Sequence, residues 1–178
     1  AALATNTTAD CELITYTHNK IPNKTLAEVV HRNLERYGAP AFTEQEQDFA
    51  KAMQRHMGAA PTGLDTSIQP FGPSETIICD TSEFSWNAPY VTLWVTMGPQ
   101  GVGWHNWMVT ACAGGSIGKK TMDRAVQIMT SSFVDIVTSP ETLAKAREEW
   151  TGRMAGRTYE CLLPADHQAP LGINREIM

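Results

Sequence analysis

Residues 79–107 constrain the fold most strongly, because they place strand-like runs, a polar cluster and a glycine-rich bend in close succession. Residues 75–80 have a continuous Ile-Ile-Cys centre, which predicts a short strand buried on both faces, as in a parallel sheet. In residues 90–97, one face would carry the apolar side chains at 91, 93, 95 and 97, and the other face Tyr, Thr, Trp and Thr at 90, 92, 94 and 96. This alternation predicts a second strand. The two runs together predict strands of one sheet.

Two other runs predict strands, and helical patterns lie around them. Residues 12–17 alternate in the same way, and residues 107–113 form an apolar run. A long helix is predicted over residues 116–137, after a Gly-Gly turn. Its expected core-facing stripe consists of Met122, Ala125, Val126, Met129, Phe133, Ile136 and Val137. Strands that alternate with helices predict an α/β fold, with a mixed sheet covered by helices.

Capping signals predict where the other helices begin. Thr25 with Glu28, and Thr43 with Glu46, match the capping box of a helix N-terminus. Ser139 precedes a proline at the first turn of another predicted helix. Residues 59–74 form a connection of unusual length, which indicates a loop that is functional or covers another part of the protein.

Composition excludes several classes of function. The chain of 178 residues has a net charge of -5 and no basic stripe, which argues against nucleic-acid binding and against polybasic membrane anchoring. No apolar run approaches the roughly 18 residues that cross a bilayer, and the polar first ten residues do not match a signal peptide. Four scattered cysteines without a Cys-x-x-Cys pair favour free thiols in a reducing compartment, so we expect a cytoplasmic protein.

The glycine-rich bend carries the best candidate for a metal ligand. His105 lies between Trp104 and Trp107, and a neutral imidazole on such a turn is a common ligand. A zinc site needs three or four ligands, and no second convincing ligand is visible in the sequence. The other histidines are expected to be solvated or to have surface partners: His18, His31, His56 and His167.

Polar residues after the first predicted strand are candidates for substrate binding. Asp80, Ser82 and Glu83 lie at a strand end, and strand ends face the ligand crevice of an α/β sheet. The alternative is a turn or helix cap formed by Asp80 and Ser82. No catalytic triad can be assembled, and residues 116–121 do not match a phosphate-binding loop. No catalytic residue is therefore assigned.

Several segments resemble those of one enzyme family in order and spacing. They are L-I-T-Y-T-H-N-K-I-P-N-K-T-L-A-E-V-V-H-R-N-L-E, F-T-E-Q-E-Q-D-F-A, D-T-S-E-F-S-W, G-W-H-N-W and S-I-G-K-K-T-M. The chain resembles amidohydrolases of the aminobenzoyl-glutamate utilisation protein B type. These belong to the dinuclear-metal family of aminoacylases and carboxypeptidases. The resemblance extends from Cys11 to about Pro170.

The resemblance implies a part of a larger enzyme. Such enzymes have an α/β catalytic domain interrupted by a lid domain that mediates dimerisation. Residues 1–22 are expected to end the lid, and residues 23–178 to form the C-terminal part of the catalytic domain. His105 matches the late metal-binding histidine of the family, and the segment around Asp80 matches a turn that lines the active site.

The parent enzyme is then expected to be a homodimer that binds two divalent metal ions, zinc or manganese, and cleaves a small-molecule amide. Most metal ligands and the general-base glutamate would lie in an N-terminal half that this chain does not contain. The isolated chain is accordingly expected to be inactive. The alternative is a self-contained α/β binding or oligomerisation module that uses the tryptophan-rich bend as its interface.

Overall fold

The described part of the protein is helical. A computed structural model describes residues 2–11, 13–72, 78–172 and 175. Its α-helices are α1 (Lys24–Tyr37), α2 (Glu44–His56), α3 (Trp107–Ala113), α4 (Ser116–Val137) and α5 (Pro140–Met154). Short 3-10 helices span Ala2–Thr5 and Asp80–Trp86. Because these residues contain no β-strand, the prediction of an α/β fold with a mixed sheet is wrong.

The predicted strands fail for separate physical reasons. Residues 107–113 form α3, because the Asn106 side chain accepts hydrogen bonds from the amides of Met108 and Val109 and caps a helix. A short apolar run fits a buried helix as well as a strand, and here the cap decides. Residues 13–17 lie outside regular structure, and residue 12 lies outside the described residues.

The other two predicted strands also do not form a sheet. Residues 75–77 lie outside the described residues, and Asp80 begins a 3-10 helix. Residues 90–97 run as a single segment without a strand partner in the described part of the chain. This segment is held by Thr96, whose hydroxyl donates to the Asp65 carbonyl at 2.7 Å, and whose carbonyl accepts from Thr121 of α4 at 2.6 Å.

Helix starts agree with the capping signals except at α1. The Thr43–Glu46 capping box of α2 is confirmed, and Ser139 caps α5 as predicted. At α1 the N-cap is Asn23, two residues before the predicted Thr25. The reason is tertiary, because the Glu149 carboxylate of α5 accepts hydrogen bonds from the first amides of α1 at 2.8 and 2.9 Å.

The long helix α4 buries a different face from the predicted one. Of the predicted stripe, the exposed residues are Met122, Val126, Met129, Phe133 and Val137. The buried residues of α4 are Ile117, Thr121, Ile128 and Ser132. Polar contacts with α1 set this rotation: Asn33 donates to the Ser132 hydroxyl at 3.3 Å and to the Asp135 carboxylate at 2.7 Å. These polar groups are paired between α1 and α4, while most of the apolar stripe of α4 stays exposed in the described part of the chain.

The helices meet around α4, which contacts α1, α3 and α5. One apolar cluster lies where α2, α3 and the start of α4 meet. It consists of Ala50, Met53, Leu64, Met108, Cys112 and Ile117. None of the helices in the described residues is both long and apolar enough to cross a membrane.

Glu46 joins α2 to α4 through a nearly buried carboxylate. It accepts hydrogen bonds from the Thr43 amide at 2.6 Å, the Ser116 hydroxyl at 2.5 Å and the Lys120 ammonium at 2.6 Å. Burial alone would raise the pKa of this carboxyl, but these hydrogen bonds outweigh burial and lower the pKa from 4.5 to about 2. The carboxylate lies near the start of α4, where both Ser116 and Lys120 bind it.

We expect Glu46→Gln to lower the free energy of unfolding at pH 7 by about 1–3 kcal/mol, because charged hydrogen bonds are lost. Since the folded-state pKa is lowered, the contribution of Glu46 is fully present above pH 4.5 and is lost as the pH falls toward 2. Urea unfolding at pH 7 and pH 3 measures this, with the exposed Glu44→Gln as control. Equal urea midpoints for the two variants at pH 7 would contradict this role.

Candidate functional site

The D-T-S-E-F-S-W motif holds the segment that precedes α1. The Ser85 hydroxyl accepts a hydrogen bond from the Ile21 amide at 2.8 Å, and the Trp86 indole donates to the Asn19 carbonyl at 2.8 Å. Trp150 of α5 donates to the Ser85 carbonyl at 2.8 Å. The 3-10 helix Asp80–Trp86 therefore fixes residues 18–21 against the helical body.

The predicted substrate-binding residues lie together on this 3-10 helix, and each has a partner within the protein. Asp80 accepts from the Thr81 amide at 2.8 Å, and the buried Ser82 hydroxyl accepts from the Cys79 amide at 3.1 Å. These are the turn-capping contacts of the alternative interpretation. Glu83 binds His18. Contact of these three residues with substrate remains a prediction.

Glu83 and His18 form a pair enclosed by aromatic rings. The Glu83 carboxylate accepts from the His18 amide at 2.5 Å and lies 2.9 Å from Nδ1 of the same histidine. Rings of Tyr16, Trp86 and Tyr159 surround the imidazole, with centroids 4.5–5.4 Å away. Burial opposes ionisation of Glu83, but the hydrogen bonds and charge of His18 lower the pKa of the carboxyl. The pair joins the segment that precedes α1 to the 3-10 helix Asp80–Trp86. No sequence pattern connects these two segments.

His105 lies on an exposed bend. The backbone φ of His105 is 64°, in the left-handed region that non-glycine residues rarely adopt. The Asn106 amide closes the bend by donating to the Gly103 carbonyl, while Asn106 also caps α3. Among the described residues His105 forms no hydrogen bond or ion pair, and no three His, Cys, Asp or Glu residues lie together as a metal site.

A groove runs along α1 beside this bend. One cavity of about 420 Å³ includes His31, Phe71, Trp94 and Trp104 in its lining, so it reaches the residue before His105. A second cavity of about 940 Å³ shares Phe71 and Trp94 with the first. Because they share a wall, the two cavities are adjoining parts of one groove. The described part of the long 59–74 loop contributes to this wall, and its role as a covering or functional loop stays a prediction.

Sequence reasoning missed the cationic end of this groove. The second cavity includes Lys20, Lys24 and Arg153 in its lining. Lys24 is paired with Glu28 at 3.6 Å and Arg153 with Glu149 at 3.0 Å. No pattern in the sequence marks these residues, because they come from a loop and two helices that only the fold brings together.

Comparison with known proteins identifies one distant relative. No family model matches the chain, and no solved structure matches it. Over 192 residues the chain is 22% identical to a subunit of the p-aminobenzoyl-glutamate hydrolase of Escherichia coli (strain K12). The match covers 92% of this chain, and the chain spans 40% of the length of that protein. This similarity supports, at family level, the resemblance to aminobenzoyl-glutamate hydrolases.

We expect Glu83→Gln to weaken the attachment of His18, because a neutral amide is a weaker acceptor for the His18 amide than a carboxylate. Hydrogen exchange of the His18 amide should become faster by about tenfold. The exposed Glu160→Gln is the control and should leave this amide unchanged. Unchanged exchange at His18 in Glu83→Gln would show that the pair does not hold the segment.

Proposed function

We propose that this chain is part of a hydrolase that cleaves the amide bond of an aminobenzoyl-glutamate-like or N-acyl amino acid substrate. The supporting observation is its similarity, over 92% of its length, to a protein named as a subunit of p-aminobenzoyl-glutamate hydrolase. The groove beside His105 supports the same proposal, because it is a concave, aromatic surface of the size that small ligands occupy.

The proposal assigns the chain to one part of a larger enzyme. Residues 1–22 end a lid or dimerisation domain, and residues 23–178 form the C-terminal part of the catalytic domain. Support comes from the relative, of which the chain spans 40%. The remaining catalytic groups then belong to a segment outside this chain, and two copies of the complete enzyme form a homodimer.

The described residues do not fit two divalent metal ions by themselves. They contain no cluster of three candidate ligands, and His105 stands alone on its bend. One imidazole supplies one ligand of the three or four that a catalytic zinc requires. We therefore propose His105 as a single ligand whose partners, for zinc or manganese, come from the rest of the enzyme.

A second candidate function is a non-catalytic binding or oligomerisation module. The observation that favours it is the exposure of Trp94, Trp104 and Trp107, each with more than half of its surface accessible. Trp94 and Trp104 also contact one another, with ring centroids 5.6 Å apart. Exposed aromatic residues of this kind are typical of interfaces.

The purified chain of 178 residues should not hydrolyse p-aminobenzoyl-glutamate, with or without added zinc or manganese. The reason is that a reactive metal centre needs more ligands than one histidine. Release of p-aminobenzoate, followed by chromatography, measures this. Turnover by the purified chain that a chelator abolishes would contradict the proposed division of the enzyme.

In the complete enzyme, His105→Ala should lower metal content and reduce turnover. The loss of turnover should exceed the roughly 10–100-fold loss typical of residues that contact the metal ligands but not the metal. His105→Gly should also lower metal content and turnover. Glycine adopts the left-handed backbone of residue 105 without strain, so the thermal stability of this variant should match or exceed that of the unmodified enzyme. His56→Ala is the control. If both His105 variants retain bound metal and turnover, the ligand assignment is wrong.

A further inference from the structure

Lys20 is a buried cation without a carboxylate partner in the described part of the chain. Its relative exposure is 9%, and its ammonium donates to the Thr92 hydroxyl at 3.1 Å. The Tyr90 ring centroid lies 5.8 Å away. The Thr92 hydroxyl and the Tyr90 ring occupy only part of the hydrogen-bonding capacity of an ammonium, which has three donors. Lys20 lines the second cavity, so an anion there could accept the remaining hydrogen bonds.

The position of Lys20 is fixed by its neighbours along the chain. Hydrogen bonds from the 3-10 helix Asp80–Trp86 hold Asn19 and Ile21 on either side of it. The lysine therefore enters the cavity from a backbone anchored at both adjacent residues. Such pre-organisation reduces the ordering cost of binding a ligand.

The wall of the same cavity suits a flat ring next to the anion. Phe71, Tyr90 and Trp94 belong to its lining, together with Lys20. Among the described residues that line it, none is an aspartate or glutamate. Arg153 and Lys24 also line it, but each already pairs with a carboxylate. In the described part of the chain, the cavity thus joins an aromatic surface to the ammonium of Lys20, which has no carboxylate partner there.

We propose that this cavity is a carboxylate-binding subsite in which the Lys20 ammonium holds the acidic end of the substrate, with the aromatic group of the substrate against Trp94. This inference rests on the proposed function for the identity of the substrate, whereas the carboxylate site itself rests on Lys20 and the cavity. The groove continues from Trp94 to Trp104, the neighbour of His105. The acidic end and the proposed metal ligand then lie at different parts of one groove.

The test is binding of three probes to the 178-residue chain by calorimetry: glutarate, p-aminobenzoyl-glutamate and p-aminobenzamide, which has no carboxylate. Lys20→Met should weaken binding of the two carboxylates by at least about tenfold, because a charged hydrogen bond is lost. It should leave p-aminobenzamide unaffected. Lys20→Arg should retain most of the affinity, and binding of both carboxylates to the unmodified chain should weaken with added salt.

The exposed Lys145→Met is the matched control for the loss of one positive charge and should bind all three probes normally. Thermal unfolding of each variant separates loss of the site from loss of the fold, and the salt dependence needs no variant. Equal carboxylate affinity in Lys20→Met and the unmodified chain would overturn the proposal, as would the absence of carboxylate binding by the unmodified chain. If glutarate binds in a Lys20-dependent way but p-aminobenzoyl-glutamate binds no more tightly than glutarate, the subsite is supported and the proposed substrate is contradicted.

Discussion

The arrangement of the helices depends on the hydrogen bonds and the ion pair that the Glu46 carboxylate forms. This carboxylate completes the capping box of α2 and also binds Ser116 and Lys120 near the start of α4. A negative charge at this place is favoured by the helix dipole of α4 as well as by the ammonium. Because one carboxylate serves two helix starts, α2 and α4 cannot shift independently, and the apolar cluster between them forms in one arrangement.

The groove depends on a second set of contacts, at the N-terminal end of α1. There Glu149 of α5 binds the first amides of α1, and Trp150 ties the 3-10 helix Asp80–Trp86 to α5. The D-T-S-E-F-S-W motif was a candidate substrate contact, and its observed contacts hold the neighbours of Lys20 in place. Lys20 is therefore buried and anchored, which suits a residue that orients a ligand. His105 is exposed and strained, which suits a ligand that completes its coordination with groups from elsewhere.

The sequence alone determined those features whose causes lie within a few residues. Thr43 with Glu46, and Ser139 before Pro140, fixed helix starts because a cap satisfies amides only two or three positions away. The start and end of α4 were also readable from the local pattern. Its buried face was not, because Asn33 of α1 selects it through a contact between residues 99 positions apart.

Only the tertiary structure decided the remaining features. A strand needs a neighbouring strand to pair its backbone, so the alternation of residues 90–97 could not by itself produce a sheet. His105 was predicted as a metal ligand from sequence because glycine and tryptophan surround it, whereas Lys20 has no such signal. Burial of a lysine depends on everything packed around it, and for Lys20 and its neighbour Ile21 the contacts come from residues more than 60 positions away.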